Sequence, residues 1–319
     1  MTPIALAIAA LSLATAQAAH AQSTYPERQI HVYVGFPPGS GADILGRYFS
    51  RKLSELAGKP VIVENKPGAT SNIALGLAAK ARPDGYTILY SANSNMAGSR
   101  FLFKDLPFDT VRDFEPIAML SQTTFVMVVA PNSKVGTIAE LTAALKANAK
   151  AKFAFTNQVG LLATETYKIA AGVQAVQVNY RTATDALPDI QNGTIDFFII
   201  DGTFGLGQIK AGRIKPLAVT TAQRLDTLPG VPTMHEAGIT GFDFASLWAA
   251  WLPKGVTPDV LAKLEGWFTK ITALPETREF LSNTAGTPLQ GGNAATRAKQ
   301  LAEIEKWAVA TKAAGIVPQ

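Results

Sequence analysis

Residues 30–47 limit the fold more tightly than any other stretch. An apolar, β-branched run (Ile30, Val32, Val34) breaks at Pro37-Pro38-Gly39, and a helical pattern starts almost at once. Ser40 followed by Asp43 has the spacing of a capping box, which puts Ser40 at the helix start. Ile44, Leu45, Tyr48, Phe49, Leu53 and Leu56 then recur at helical spacing until Gly58-Lys59-Pro60 ends the run. A strand, a glycine loop and a helix start aim free backbone N–H groups at one spot. The helix dipole adds about half a positive charge there, so the spot suits an anion. No group in the loop is equipped to transform what it holds.

The arrangement recurs twice. Val61-Ile62-Val63 is a short strand, and the loop after it leads into a small-residue helix over 73–81, with Thr70, Ser71 or Asn72 as its cap. Pro83-Asp84-Gly85 turns the chain into a strand over 86–90, followed by Ser91-Ala92-Asn93-Ser94-Asn95. Three successive strands thus end in loops of small polar residues. In an open α/β sheet ligands sit beyond the carboxyl ends of the strands, so these loops should converge on one cleft.

With 319 residues, 47% of them hydrophobic, the chain can build a large core and calls for two lobes. Residues 1–21 carry no Asp, Glu, Lys or Arg, and Ala19-His20-Ala21 offers a small-x-small cleavage site before Gln22. Residues 1–21 therefore read as a secretory signal peptide, and no later apolar run is long enough to span a bilayer. There is no cysteine, which excludes disulfides, thiolate catalysis and a lipid-modified cysteine. The net charge of +5 comes from scattered basic residues without an aromatic-interleaved stripe, which argues against nucleic acid.

Strand and helix patterns continue to alternate. Strands are expected over 152–156, 173–180, 194–200 and 214–220, with helices starting after 157 and at 182, and a short one ending at 212. The tail is helical over 258–273, 275–283 and 294–314. Repeated β–α units imply a doubly wound, mainly parallel sheet in each lobe. Chain crossings near 123–126 and 243–250 divide the chain into lobe 1 (22–124 plus 246–319) and lobe 2 (125–245). Two crossings make a hinge on which lobes can close.

Phe36-Pro37-Pro38-Gly39-Ser40-Gly41-Ala42-Asp43 with Arg47 resembles the N-terminal glycine loop of the tripartite tricarboxylate transporter substrate-binding proteins, the Bug family. Val63-Glu64-Asn65-Lys66-Pro67-Gly68-Ala69, Pro83-Asp84-Gly85-Tyr86-Thr87, Val178-Asn179-Tyr180-Arg181 and Leu228-Pro229-Gly230-Val231-Pro232-Thr233 follow in the family's order. The resemblance implies a two-lobed, Venus-flytrap periplasmic binding protein without cofactor or metal. It would act as a monomer, close over a small carboxylate and deliver it to membrane subunits of a tripartite transporter.

The resemblance further implies that loop amides and small hydroxyls hold the carboxylate. In lobe 1 these are Pro38, Gly39, Ser40, Gly41, Ala42 and Asp43, then Ala69, Thr70 and Ser71, then Ser91 and Asn93. In lobe 2 they are Thr156, Asn157, Thr164, Tyr180 and Asp201. Neutral donors at helix starts bind an anion without the desolvation cost of a buried matched cation. Each has a plainer alternative. Ser40 and Asp43 cap their helix, Gly39 and Gly41 serve the turn, Asp201 caps the next helix, Arg181 is a solvated loop cation, and Trp248 and Trp251 pack the hinge. Where the family has Gly-Ser-x-x-His this chain reads Gly160-Leu161-Leu162-Ala163-Thr164. That exchange predicts a more apolar wall and a carboxylate with an aliphatic or aromatic body, rather than citrate.

Two enzyme classes compete. An exported esterase built on Ser40 lacks a Gly-x-Ser-x-Gly elbow, and beyond residue 21 its only candidate bases are His31 and His235. A dinucleotide enzyme would need its third glycine elsewhere than Gly46, and Pro37-Pro38 is wrong for that turn.

Overall fold

The computed structural model describes residues 24–313 and 315–318. The expected signal peptide at 1–21 lies outside them. β1 (Ile30–Val34) alternates buried and half-buried side chains, sending Ile30, Val32 and Val34 into the core beneath α1 (Gly41–Ala57). Gly58 ends α1 in the left-handed region at φ 64° and donates its N–H to Ser54 O. β2 (Val61–Asn65), α2 (Asn72–Ala79), β3 (Thr87–Ala92) and α3 (Asn93–Leu102) complete this first βα series, with β1 parallel to both β2 and β3.

β4 (Phe114–Val129) is a sixteen-residue strand that belongs to both lobes. Its first half pairs antiparallel with β9 (Ala245–Pro253) and β10 (Gly286–Pro288) in lobe 1. From Phe125 onward it pairs antiparallel with β7 (Phe197–Asp201) and β8 (Lys215–Val219) in lobe 2. The strands run in the order β2-β1-β3-β9-β4-β7-β5-β6, with β8 and β10 branching from β4. The βα units pair in parallel as expected: β5 (Lys152–Phe155) lies between β6 (Val176–Asn179) and β7. The antiparallel pairings come from β4 and β9, two long strands that the sequence patterns do not reveal.

Helices cover both faces of each half of the sheet. α1 and α8 (Pro258–Ala273) enclose one core in lobe 1, with α9 (Pro275–Ser282) beside them, and α2, Met96 and Trp251 fill the other face. In lobe 2, α4 (Ile138–Ala147) and α5 (Gln158–Ala171) cover one face. α6 (Ala183–Gln191) and α7 (Gly202–Lys210) cover the other. α10 (Asn293–Ala313) packs on α3 and β4 and carries Trp307 into the lobe 2 core. Among the described residues no helix is long and apolar enough to cross a membrane.

Candidate functional site

A cavity of about 270 Å³ opens between the lobes. Five helices begin at it, one after each of β1, β3, β5, β6 and β7. α1 contributes Pro38 to Ala42, α3 Ser94 and Asn95, α5 Thr156 to Gln158, α6 Arg181 to Asp185, and α7 Asp201 and Phe204. The first N–H groups of a helix have no acceptor within it, so this cavity collects orphan donors and five positive dipole ends.

Local chemistry fixes each start. Ser40 caps α1 by accepting from Asp43 N at 3.3 Å and donates its own hydroxyl to Pro37 O at 2.7 Å. The Asp43 carboxylate accepts from Gly39 N at 2.9 Å instead of from Ser40 N, which donates to Pro37 O. Half of the expected capping box thus forms, and Gly39, at φ 78°, supplies the turn. Asn157 caps α5 through Gly160 N at 2.9 Å, and Thr182 with Asp185 forms a complete capping box on α6. Asp201 caps α7, accepting from Thr203 N at 2.8 Å. Burial pushes its carboxyl up, and hydrogen bonds from Thr203 and Phe204 oppose that rise. α3 has no capping side chain. Behind the cavity Trp248 donates to Thr123 Oγ1 at 2.6 Å and stacks on Tyr90 with ring centroids 5.2 Å apart.

Pro38, Gly39, Ser40, Gly41, Ala42, Thr156, Asn157 and Asp201 are thereby brought together on the cavity. The other sequence candidates do not line it. Asp43 is buried behind the loop, held by Arg47 and Asn65. Ala69, Thr70 and Ser71 form a left-handed turn at φ 44°, 51° and 74°, and Ser71 donates to Gly35 O. Ser71 is wedged there: a Cβ on Gly35 would fall 2.5 Å from it. Instead of capping α2 the turn braces the cavity from outside, since Asn95 Nδ2 donates to Thr70 O at 2.9 Å. Ser91 is buried in β3, Asn93 faces the opposite side of the molecule, and Tyr180 donates to Asp189 at 2.5 Å. Thr164 is fully buried and donates to Gly160 O at 2.8 Å. Neither Thr164 nor Leu161 contributes to the wall, so the apolarity expected from them is absent there. Phe36, Pro37, Phe204 and Trp248 supply it instead.

Three polar groups on the cavity escape sequence reasoning or look bland in it. Gln158 is 5% exposed, and both of its amide atoms lack a partner. Asn95 Oδ1 is likewise buried and unpaired. Arg181 is exposed and makes no ion pair among the described residues. Gln158 and Asn95 sit at ordinary helix positions, where a polar residue carries no local signal. Among the described residues Ser40 has no histidine partner; His31 is bound to Glu64 at 2.5 Å and to Gln29.

The sequence model of the family described as "Tripartite tricarboxylate transporter family receptor" matches residues 45–315. The chain belongs to that family. This receptor is 30% identical to the protein BugT of Bordetella pertussis, over 97% of this chain and 97% of that protein. Among solved structures, the receptor superposes on R. palustris Rpa4515 with adipate at a TM-score of 0.89 and 28% identity, over 92% of this chain and all of the other. The periplasmic binding protein BugD gives a TM-score of 0.87 and 29% identity at the same coverage of this chain. Family members of this kind are substrate-binding receptors with two lobes.

Proposed function

We propose that this receptor captures a small carboxylate with an aliphatic or aromatic body in the cavity between its lobes. It then presents the ligand to membrane subunits of a tripartite transporter. It works in the periplasm as a monomer, catalyses no reaction, and closes lobe 1 (22–124 plus 246–319) on lobe 2 (125–245). The observation that carries this is the meeting of five helix starts on one cavity whose lining holds no buried cation. Orphan N–H groups and dipole ends from both lobes favour an anion, and they act together only when the lobes close. Gln158 and Asn95 offer unpaired donors and acceptors, Arg181 stands at the rim, and Phe36, Pro37, Phe204 and Trp248 accommodate hydrocarbon. Adipate, the ligand solved with Rpa4515, has this chemistry.

The test is a calorimetric and thermal-shift panel of mono-, di- and tricarboxylates. A linear dicarboxylate such as adipate should bind, and at 100 times its Kd should stabilise the protein by about 2.7 kcal/mol. Citrate bound more tightly than every aliphatic or aromatic acid would overturn the ligand class. Silence across all carboxylates would overturn the function. Ester hydrolysis lost on Ser40→Ala would restore the esterase alternative.

A further inference from the structure

A second cleft, of about 580 Å³, lies on the reverse face of the strands that join the lobes. Strand alternation separates the two spaces: Ser246 and Trp248 of β9 face the front cavity, whereas Ala245 and Leu247 face the rear cleft. Gln122 of β4 sits in register opposite Leu247 and faces the rear as well. The inner end of this cleft is the start of α3, where Asn93, Ser94 and Lys299 converge. α3 has ten residues and no side-chain cap, so its first N–H groups are unclaimed. Asn93 is 4% exposed, and neither its amide nitrogen nor its oxygen has a partner. A buried carboxamide left wholly unpaired is rare and costly, so a missing partner is expected. The void of about 10 Å³ behind Asn93 has room for one water at most. Val159, Leu162, Ile169, Phe244, Leu247 and Trp307 give the cleft an apolar share of its lining, alongside the polar Gln122, Thr166, Asp243, Glu303 and Lys306. Among the described residues Lys299 makes one ion pair, with Glu303 at 3.5 Å, and Glu303 is shared with Lys306 at 3.4 Å, so these three α10 side chains carry a net positive charge, while Asp243 borders the cleft from outside α10.

We propose that the rear cleft is a second binding site, for an amphipathic monocarboxylate. Its carboxylate sits at the start of α3 between Asn93 and Lys299, and its hydrocarbon body runs outward along Leu162, Leu247 and Trp307. Ser94 borders both spaces, so front and rear ligands approach one helix N-terminus from opposite sides. Two anions there repel each other, and occupation of the rear weakens binding at the front, by the same factor in each direction.

The test uses octanoate as the rear probe and adipate as the front probe, by calorimetry on the full receptor. Octanoate should bind saturably. Ala310→Trp, which fills the cleft from α10, and Asn93→Leu, which removes the amide, should each weaken it by about tenfold or more. Both variants should unfold cooperatively and still bind adipate. Saturating octanoate should raise the adipate Kd severalfold in the unsubstituted receptor and leave it unchanged in Ala310→Trp. Failure of octanoate to bind overturns the site, as does octanoate affinity undiminished in both variants. An adipate Kd indifferent to octanoate overturns the coupling. If adipate itself does not bind, the front-cavity function falls, and the octanoate measurements still decide the rear site.

Discussion

Gly41 stands where a side chain would collide with the other lobe: a Cβ there would fall 2.6 Å from Asp201 Oδ1 and 3.0 Å from Thr203 Cβ. Its backbone conformation needs no glycine, so the constraint is close approach alone. Gly41→Ala should therefore fold normally while obstructing closure, weakening adipate by about tenfold in calorimetry. Asp43 gives a pH-dependent prediction. Burial alone would raise its carboxyl, but Arg47, the Gly39 N–H and Asn65 outweigh burial and hold it below the ordinary Asp value. A depressed carboxyl contributes stability above its unfolded value and loses it as pH falls through the folded one. Asp43→Asn should destabilise the receptor at pH 7 by roughly 1–2 kcal/mol in denaturant titrations. The gap should close as pH drops through the Asp range and below it. Ser40 and Asp43 are legible in the sequence because capping is local chemistry with fixed spacing. Gln158, Asn95 and the rearward aim of Asn93 are not, since which side of a helix start meets a cavity is decided by neighbours distant in the chain.

Elements whose signals are local can be read almost to the residue. α8, opened by Pro258, and α9, opened by Pro275, carry their start signals in the chain. β4 and β9 escape notice as strands for a physical reason. Both are buried along nearly their whole length on both faces, so neither shows the two-residue alternation that marks a half-buried strand. β6 is shorter than expected because Val173 through Ala175 form no regular structure and pairing begins only at Val176. The α6 capping box permits a direct measurement. Thr182→Ala should cost about 1 kcal/mol, seen as a Tm lower by a few degrees in calorimetric scans. It should also loosen one of the five helix starts around the cavity. An unchanged Tm would mean that water replaces the cap.

Across the molecule, the two-lobed plan is foreseeable from alternating β–α patterns, while the sharing of one strand by both lobes is not. That strand ties the crossing to the strands on either side. It also sets an order of assembly. β3 is buried over nearly its full length, yet one of its edges stays unpaired until β9 arrives at Ala245. By then the lobe 2 strands β5, β6 and β7 have long had all their neighbours from one another and from β4. A chain stopped at residue 244 should show hydrogen-exchange protection in β5 to β7 and little in β1 to β3. During synthesis the first hundred or so residues are therefore a sticky sheet edge waiting for the last quarter of the chain, and a premature stop yields an aggregation-prone ribbon rather than half a receptor.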